Sequence, residues 1–251
     1  MSIKSVVGIF AHPDDETVMA GGIVRLLTQQ GVKVHLVSAT RGEGGETGAP
    51  IISLARTDLG HVRERELRCA AQALGATVSL LNYTDPVIGP DDTLRAFEAD
   101  FATLARQIAN IASRHEADVI LTHGSDGEYG HPAHVLVHRA VVEGITRLYP
   151  RAMIYTVAAN VASIEDRLWN SSQPAHLALD IRPWAEAKIA AMECHQTQHA
   201  LFMRRRKLSN VREALRTVES LRKIHPDPHD TPPSDAFATL LRTAGAWQPQ
   251  T

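Results

Sequence analysis

The chain has 251 residues, of which 44% are hydrophobic and 22% are charged, the balance of a globular protein rather than of a disordered one. Its formal net charge of -2 gives no global attraction to nucleic acid or to an anionic membrane surface, so we expect neither as a partner. Only Cys69 and Cys194 are present, and no long apolar segment occurs, so we expect a cytoplasmic protein without a disulfide framework or a cysteine-based zinc site.

Short apolar runs alternate with helical patterns along the chain. We predict strands at residues 6–10, 34–39, 77–81, 118–122, 153–158 and 177–181. We predict helices at residues 16–30, 58–74, about 93–114, from Pro132 onward, and 184–201. This alternation predicts an α/β protein with a mostly parallel sheet and helices on both faces, and such sheets bind ligands at the carboxyl ends of their strands. After His225 we predict an extended arm and a last short helix.

Charged side chains cluster where the first strand ends. The sequence AHPDDE at 11–16 supplies a histidine and three carboxylates, namely His12, Asp14, Asp15 and Glu16. His12 and Asp15 are three residues apart across the turn into the helix, so both can face one ion while Asp14 projects differently. A single Asp could instead cap the helix, and Glu16 could favour its positive end, but three carboxylates and a histidine exceed what capping requires.

A second polar cluster follows the fourth strand, in the sequence THGSDGEYGHPAH at 122–134. It places His131 and His134 three residues apart at the start of a helix. His138 lies four residues beyond His134 and could share its helical face, as in a zincin pair. That pair needs Glu directly after the first His, and Val135 stands there instead. Two His and one Asp with an open position and a spare carboxylate are what hydrolytic zinc chemistry requires.

Five segments together resemble the LmbE-like or PIG-L-type de-N-acetylases. They are AHPDDE at 11–16, TRGEGGETG at 40–48, VREREL with LG at 62–75, GEYGHPAH at 127–134 and, more weakly, KIAAMECHQTQ at 188–198. The first and fourth in combination are highly specific, and the five cover most of residues 6–200. The resemblance implies a Rossmann-like sheet, with a deacetylase domain over residues 1–225 and a C-terminal extension over 226–251 that packs on this domain or extends from it.

The resemblance also implies a metal site. In this family the first His and second Asp of the first motif bind zinc together with the last His of the later motif. These ligands correspond here to His12, Asp15 and His134. The same ligand set can also bind Fe(II) or another divalent ion.

The resemblance assigns catalytic roles to three further residues. The general base of the family corresponds to Asp14, its electrophilic or acid histidine to His131, and its mobile tyrosine to Tyr129. In such a site the free carboxylate takes a proton from water, and the histidine stabilises the tetrahedral oxyanion or protonates the leaving amine.

One position departs from the family pattern, because Ala133 stands where the later motif usually has Asp. An Asp beside His131 would raise the pKa of that imidazole by charge attraction. We therefore expect either that His131 lacks this support or that Asp126 or Glu128 from the preceding loop supplies it.

Further charged residues fall in segments that resemble the substrate loops of the family. Arg41, Glu43 and Arg63 could bind sugar hydroxyls there, although a solvated loop and an exposed helix face would explain them equally well. The run MRRRK at 203–207 could be an anion or nucleic-acid patch, but a solvated helix end or a subunit contact is the favoured interpretation.

These observations favour a metal-dependent hydrolase that removes an N-acyl group, by the resemblance an N-acetyl group, from a small amino sugar or glycoside. One alternative is an amidase that acts on a thiol conjugate or another non-sugar amide with the same site. Another is a metal- or sugar-binding module without turnover, against which Asp14 speaks, since a pure binder needs no spare carboxylate. A homo-oligomer is compatible with the sequence.

Overall fold

The computed structural model of the chain describes residues 2–46, 56–89, 93–157, 173–204, 207–229 and 231–249. Its strands are β1 (Ser5–Phe10), β2 (Lys33–Thr40), β3 (Thr77–Tyr83), β4 (Val119–Thr122), β5 (Met153–Val157), β6 (Leu177–Asp180) and β7 (Val218–His225). Its helices are α1 (Asp15–Gln29), α2 (Arg56–Leu74), α3 (Phe101–Arg114), α4 (Gly127–Gly130), α5 (Pro132–Leu148), α6 (Ala185–Cys194), α7 (His199–Arg204) and α8 (Ala236–Thr243). Each helix among these residues is too short or too polar to cross a lipid bilayer.

The described strands form one sheet in the order β3-β2-β1-β4-β5-β7-β6. The strands β1 to β5 pair in parallel, whereas β7 runs antiparallel to both β5 and β6. Every residue of β1 and β4 is buried, and their sequences SVVGIF and VILT are nearly all apolar because helices cover both faces of the sheet. The predicted fold class, a Rossmann-like and mostly parallel sheet with helices on both faces, is confirmed.

Two apolar cores lie on opposite faces of the sheet. On one face, α1, α2, α6 and α8 pack around side chains that include Ile23, Leu74 and Phe237. On the other face, α3 and α5 pack around Ile108 and Val137. Since α8 belongs to the predicted C-terminal extension, the described part of that extension packs on the same sheet as the rest of the chain.

Two predicted helices differ from the observed ones. The helix predicted from residue 93 begins only at Phe101, because Asp100 has an extended backbone and its side chain accepts the N–H of Thr103 at 2.8 Å as an N-cap. The helix predicted over 184–201 is interrupted at His195, where ψ is 57°. Residue 158 of the fifth predicted strand and residues 47–48 of the second motif lie outside the described residues.

The strand β7 is missing from the sequence-based prediction, because its sequence VESLRKIH contains charged residues and neither a continuous apolar run nor a strict alternation. Glu219 and Lys223 are buried, and each has a partner of opposite charge. Lys188 Nζ lies 2.7 Å from Glu219 Oε1, and Lys223 Nζ lies 3.0 Å from Asp235 Oδ2. The partners of Glu219 and Lys223 belong to other elements of the fold, so the sequence of the strand alone does not show that these charged side chains can be buried.

The expectation of a chain without disulfides is wrong. Cys69 near the end of α2 and Cys194 at the end of α6 form a disulfide, with their Cα atoms 5.7 Å apart. The two residues lie 125 positions apart in the sequence, so no local spacing pattern indicated the pair. The bond joins two helices that pack on the same face of the sheet.

We predict that reduction of this disulfide lowers stability, because a crosslink that closes a long loop restricts the unfolded chain and contributes typically about 2–4 kcal/mol. Thermal unfolding with and without a reductant measures the effect. The double variant Cys69→Ser and Cys194→Ser is the control, and its unfolding temperature should match that of the reduced protein and not respond to reductant. An unfolding temperature of the unmodified chain that is insensitive to complete reduction would contradict the prediction.

Candidate active site

The site lies where the strand order of the sheet reverses. The strand β1 pairs with β2 on one side and with β4 on the other, and α1 and α5 follow on opposite faces. The loops after β1 and β4 therefore leave the same edge and diverge, which opens a crevice between them. These loops and the first turns of the following helices carry the residues predicted for the metal and for catalysis: His12, Asp14, Asp15, Tyr129, His131 and His134.

Three of these residues bring ligand atoms together. His12 Nδ1 lies 3.4 Å from Asp15 Oδ2 and 3.3 Å from His134 Nε2, and the latter two atoms are 3.4 Å apart. A tetrahedral zinc site with bonds of about 2.0–2.1 Å places its ligand atoms about 3.3–3.4 Å from one another. The spacing of the three atoms and their chemistry therefore fit an ion of the size of zinc.

Two buried carboxylates orient the histidines of this set. His12 Nε2 lies 3.2 Å from Asp85 Oδ1, and His134 Nδ1 lies 2.6 Å from Glu128 Oε2. Each imidazole thus places its outer nitrogen against a carboxylate and its other nitrogen at the common point, the arrangement that metal-bound histidines usually have. Burial opposes ionisation of Glu128, but His123 and His134 lower its pKa to about 2, so that it remains an acceptor.

Two further histidines, His123 and His138, lie next to this set. His123 lies close enough to Asp15 and His134 to offer an alternative ligand group. However, its Nε2 accepts the N–H of Ala11 at 2.9 Å, and its Nδ1 lies 2.9 Å from Glu128 Oε2. Nδ1 of His138 contacts the carbonyl of His123 at 2.8 Å. Both ring nitrogens of His123 are therefore engaged within the protein, which favours His12 as the third ligand.

Asp14 occupies a strained position beside the ligands. Its φ of 113° is left-handed, a region that non-glycine residues rarely adopt. Its Oδ1 lies 3.6 Å from the Arg63 guanidinium. Burial raises the pKa of the Asp14 carboxyl to about 7, and the charge of Arg63 opposes this shift. A carboxylate with a pKa near neutrality is suited to accept a proton and to return it.

His131 forms the N-cap of α5. Its Nδ1 accepts the N–H of Ala133 at 3.2 Å, so the neutral ring carries its hydrogen on Nε2. Burial lowers the pKa of His131 to about 2, with His12 and His134 acting in the same direction. The ring is therefore neutral and can donate a hydrogen bond. Since Glu128 is engaged with other histidines, it does not replace the Asp that Ala133 displaces.

A cavity of about 450 Å³ adjoins these residues. Its polar wall contains Asp85, Tyr129 and His131 beside the ligands and Asp14. The Tyr129 ring stands edge-on to His131, with the ring centres 5.7 Å apart. The rest of the described wall combines apolar with charged and polar side chains. The apolar ones include Val18, Met19, Ile88, Leu94, Met192, Leu201 and Phe202, and the others include Glu46, Arg95, Gln198, Arg204 and Arg216.

This arrangement coincides with a sequence match. The profile of the PIG-L family, described as GlcNAc-PI de-N-acetylase, matches residues 7–145, which include both polar loops. The chain belongs to the PIG-L family. A 1D-myo-inositol 2-acetamido-2-deoxy-alpha-D-glucopyranoside deacetylase of Acidothermus cellulolyticus is 31% identical over 236 residues, covering 79% of this chain and 81% of that protein. The protein of the same name from Corynebacterium diphtheriae is 32% identical and covers 76% and 75%.

Solved structures share the fold of this PIG-L family member. N,N'-diacetylchitobiose deacetylase from Pyrococcus horikoshii superposes with a TM-score of 0.62 at 19% identity, covering 91% of this chain and 88% of that one. The 4-carboxy-2-hydroxymuconate hydratase of Pseudomonas putida superposes with a TM-score of 0.64 at 21% identity, covering 91% and 99%. The names of the two neighbours give different activities, so this likeness establishes the fold, and the reaction must be argued from the residues of the site.

Two of the residues predicted to bind substrate do not line the described part of the cavity. Arg41 Nε donates to Glu64 Oε2 at 2.7 Å on α2. Glu43 Oε2 accepts the N–H of Asp85 at 3.2 Å and so helps to fix the loop that orients His12. Their role in substrate binding stays a prediction, and their visible contacts are within the protein.

The third of these residues, Arg63, lines the cavity but is largely engaged by backbone. It is buried, and its Nη1 and Nη2 donate to the carbonyls of Gly42 and Pro13 at 3.0 and 2.7 Å. These bonds tie the loops after β1 and β2 together beside Asp14. Arg63 is thus placed to position the first loop as well as to meet a substrate.

Sequence reasoning missed Asp85 and His123 as members of the site. Asp85 follows β3, whose carboxyl end lies at the same edge as those of β1 and β4. A search for carboxylates after every predicted strand would have found it. His123 directly follows β4 and gave the same signal, but only its contacts with Ala11 and Glu128 reveal its supporting role.

We predict that His134→Ala loses most of the bound metal, because it removes one atom of the three that converge. His138→Ala is the matched control, since it truncates a buried histidine four residues away whose Nδ1 contacts the backbone carbonyl of His123. Metal content per chain after dialysis measures the difference. A full equivalent of metal in His134→Ala together with loss in His138→Ala would contradict the assignment.

We also predict that Asp14→Gly is more stable than Asp14→Ala by about 1 kcal/mol, because glycine tolerates the left-handed backbone that alanine does not. Urea unfolding of the two variants in the presence of a chelator gives the comparison without a contribution from metal binding. Equal stability, or a more stable alanine variant, would show that the backbone of Asp14 is not strained.

Proposed function

We propose that this PIG-L family member is a zinc-dependent deacetylase that hydrolyses the N-acetyl group of an amino sugar glycoside to acetate and a free amine. The observation that carries the proposal is the set of three converging ligand atoms, from His12, Asp15 and His134, with Asp14 and His131 beside it. The related deacetylases of Acidothermus cellulolyticus and Corynebacterium diphtheriae support an acetamido sugar as the substrate class.

His12, Asp15 and His134 would hold the metal. When bound, zinc polarises the acyl carbonyl and lowers the pKa of a coordinated water toward neutrality. Zinc suits two imidazoles and one carboxylate, and the same set also accepts Fe(II) or another divalent ion. The carboxylates of Asp85 and Glu128 keep both imidazoles in the tautomer that this role requires.

The remaining residues move the protons and stabilise charge. Asp14 accepts a proton from the attacking water and then delivers it to the amine nitrogen as the C–N bond breaks, which its pKa near neutrality permits. The neutral His131 donates its Nε2–H to the oxyanion that develops on the acyl oxygen. Tyr129 lies beside His131 in the cavity wall and would contact the same end of the substrate.

The test is release of acetate from a panel of N-acetylated sugars, glycosides and thiol-conjugated amides. We expect activity on an acetamido glycoside, loss of that activity with a chelator, and recovery when Zn²⁺ is returned. Activity only on the thiol conjugates would favour the amidase alternative. Absence of acetate release from every substrate by the zinc-loaded protein would contradict the proposal.

We predict that Asp14→Asn retains its metal but loses about 10²-fold or more in kcat, the usual scale for a positioned proton acceptor. Asp227→Asn is the matched control, because Asp227 is exposed and lies outside the described cavity wall. Metal content and kcat are measured on the same preparations. Turnover of Asp14→Asn close to that of the unmodified chain would remove Asp14 as the base.

A further inference from the structure

A buried hydrogen-bond network of Glu16, Thr17 and His195 contacts the strained backbone of Asp14. The N–H of Asp14 donates to Glu16 Oε2 at 3.1 Å, so the side chain two residues later holds the left-handed conformation in place. The other oxygen of Glu16 accepts the Thr17 hydroxyl at 2.6 Å and lies 3.2 Å from His195 Nε2. Glu16 and His195 are 2% and 0% exposed, so this carboxylate depends on its protein partners.

The geometry fixes which nitrogen of His195 carries the hydrogen. Among the described residues Nδ1 of His195 has no hydrogen-bond partner, whereas Nε2 faces the carboxylate of Glu16. The Nε2–H tautomer therefore donates to Glu16 and leaves only a lone pair without a partner. His195 does not line the cavity, and its Nε2 faces Glu16 and, at 3.4 Å, the Thr17 hydroxyl. Its hydrogen-bonded connection to Asp14 therefore runs through Glu16.

The position of His195 is set by α2. Its segment continues into Thr197, whose N–H and hydroxyl donate to the two oxygens of Glu66 at 2.8 and 2.7 Å. Glu66 lies three residues after Arg63, which donates to the carbonyl of Pro13 at 2.7 Å. One helix therefore holds Asp14 from two sides, directly at Pro13 and indirectly through the segment that carries His195.

We propose that Glu16 and His195 are positioning residues that hold Asp14 in the orientation needed for proton transfer. The proposal rests on the proposed function, because only a hydrolase needs the Asp14 carboxylate aimed at a reacting water. The network explains why the chain breaks its helix at His195 between α6 and α7. It also gives a role to the fifth motif, KIAAMECHQTQ, which no part of the metal site uses.

Removal of the histidine should reduce turnover without changing binding. His195→Ala is expected to lose about tenfold or more in kcat, while KM and metal content stay within twofold of the unmodified chain. His195→Gln is expected to recover most of the loss, because the glutamine amide can place an N–H where Nε2 of His195 lies. Glu16→Ala should reduce kcat in the same way as His195→Ala, and the double variant should lose no more than either single one.

The control variant is Tyr155→Phe, which removes another buried side-chain hydrogen bond, 2.7 Å long, between Tyr155 and Asp235. It should lower the unfolding temperature and leave kcat unchanged, so a general loss of stability is separated from a loss of positioning. The assay uses the zinc-loaded full chain with the acetamido glycoside that the unmodified chain hydrolyses.

The experiment measures kcat, KM, metal content and unfolding temperature for the unmodified chain, these five variants and the Asp14→Asn variant. The proposal holds if kcat falls in His195→Ala and returns in His195→Gln at constant metal content. It is overturned if His195→Ala keeps kcat within threefold, if kcat falls only in proportion to metal content, or if the glutamine variant recovers nothing. Absence of acetate release by the zinc-loaded unmodified chain would instead overturn the proposed function.

Discussion

The parallel pairing of β1 with β4 is the constraint on which the site depends. Val6 to Ile9 align with Val119 to Thr122, so the loops that follow the two strands begin side by side although they lie more than 100 residues apart. Because α1 and α5 then pack on opposite faces, the loops diverge and leave room for a ligand. The register of this pairing sets where the two loops begin relative to each other and thereby the distances among the ligand atoms.

Charge balance explains why so many ionisable side chains tolerate burial here. Asp15 faces the two histidines, while Asp85 and Glu128 accept hydrogen bonds from the outer nitrogens of the same rings. Each buried acid thus has a donor, and one nitrogen of His12 and one of His134 lie beside the Asp15 carboxylate at a common point. A bound cation would satisfy all three atoms at once, which is the physical reason that we propose a metal site here.

The placement of the two polar loops at one edge of the sheet could be predicted from the sequence, because the signal is local. AHPDDE and GEYGHPAH each contain their candidate residues within a few positions, and each comes soon after a short apolar strand. The strand β7, the disulfide and the contact between Glu16 and His195 depend on residues far apart, 179 positions in the last case. Asp85 is an intermediate case. Its place soon after a predicted strand can be recognised in the sequence, but its contact with His12 cannot. The substrate roles of Arg41 and Glu43 rest on the resemblance of their segments to the substrate loops of the family and stay predictions, since their visible contacts are with Glu64 and Asp85.

The central claim is that one ion is held by His12 Nδ1, Asp15 Oδ2 and His134 Nε2. The most direct test is a crystal structure of the zinc-loaded protein with anomalous diffraction data collected on both sides of the zinc absorption edge. The account predicts one anomalous peak per chain at bonding distance, about 2.0–2.2 Å, from these three atoms, with His12 Nε2 still hydrogen-bonded to Asp85. A peak ligated by His123 or His131, or by His12 through Nε2, would contradict it.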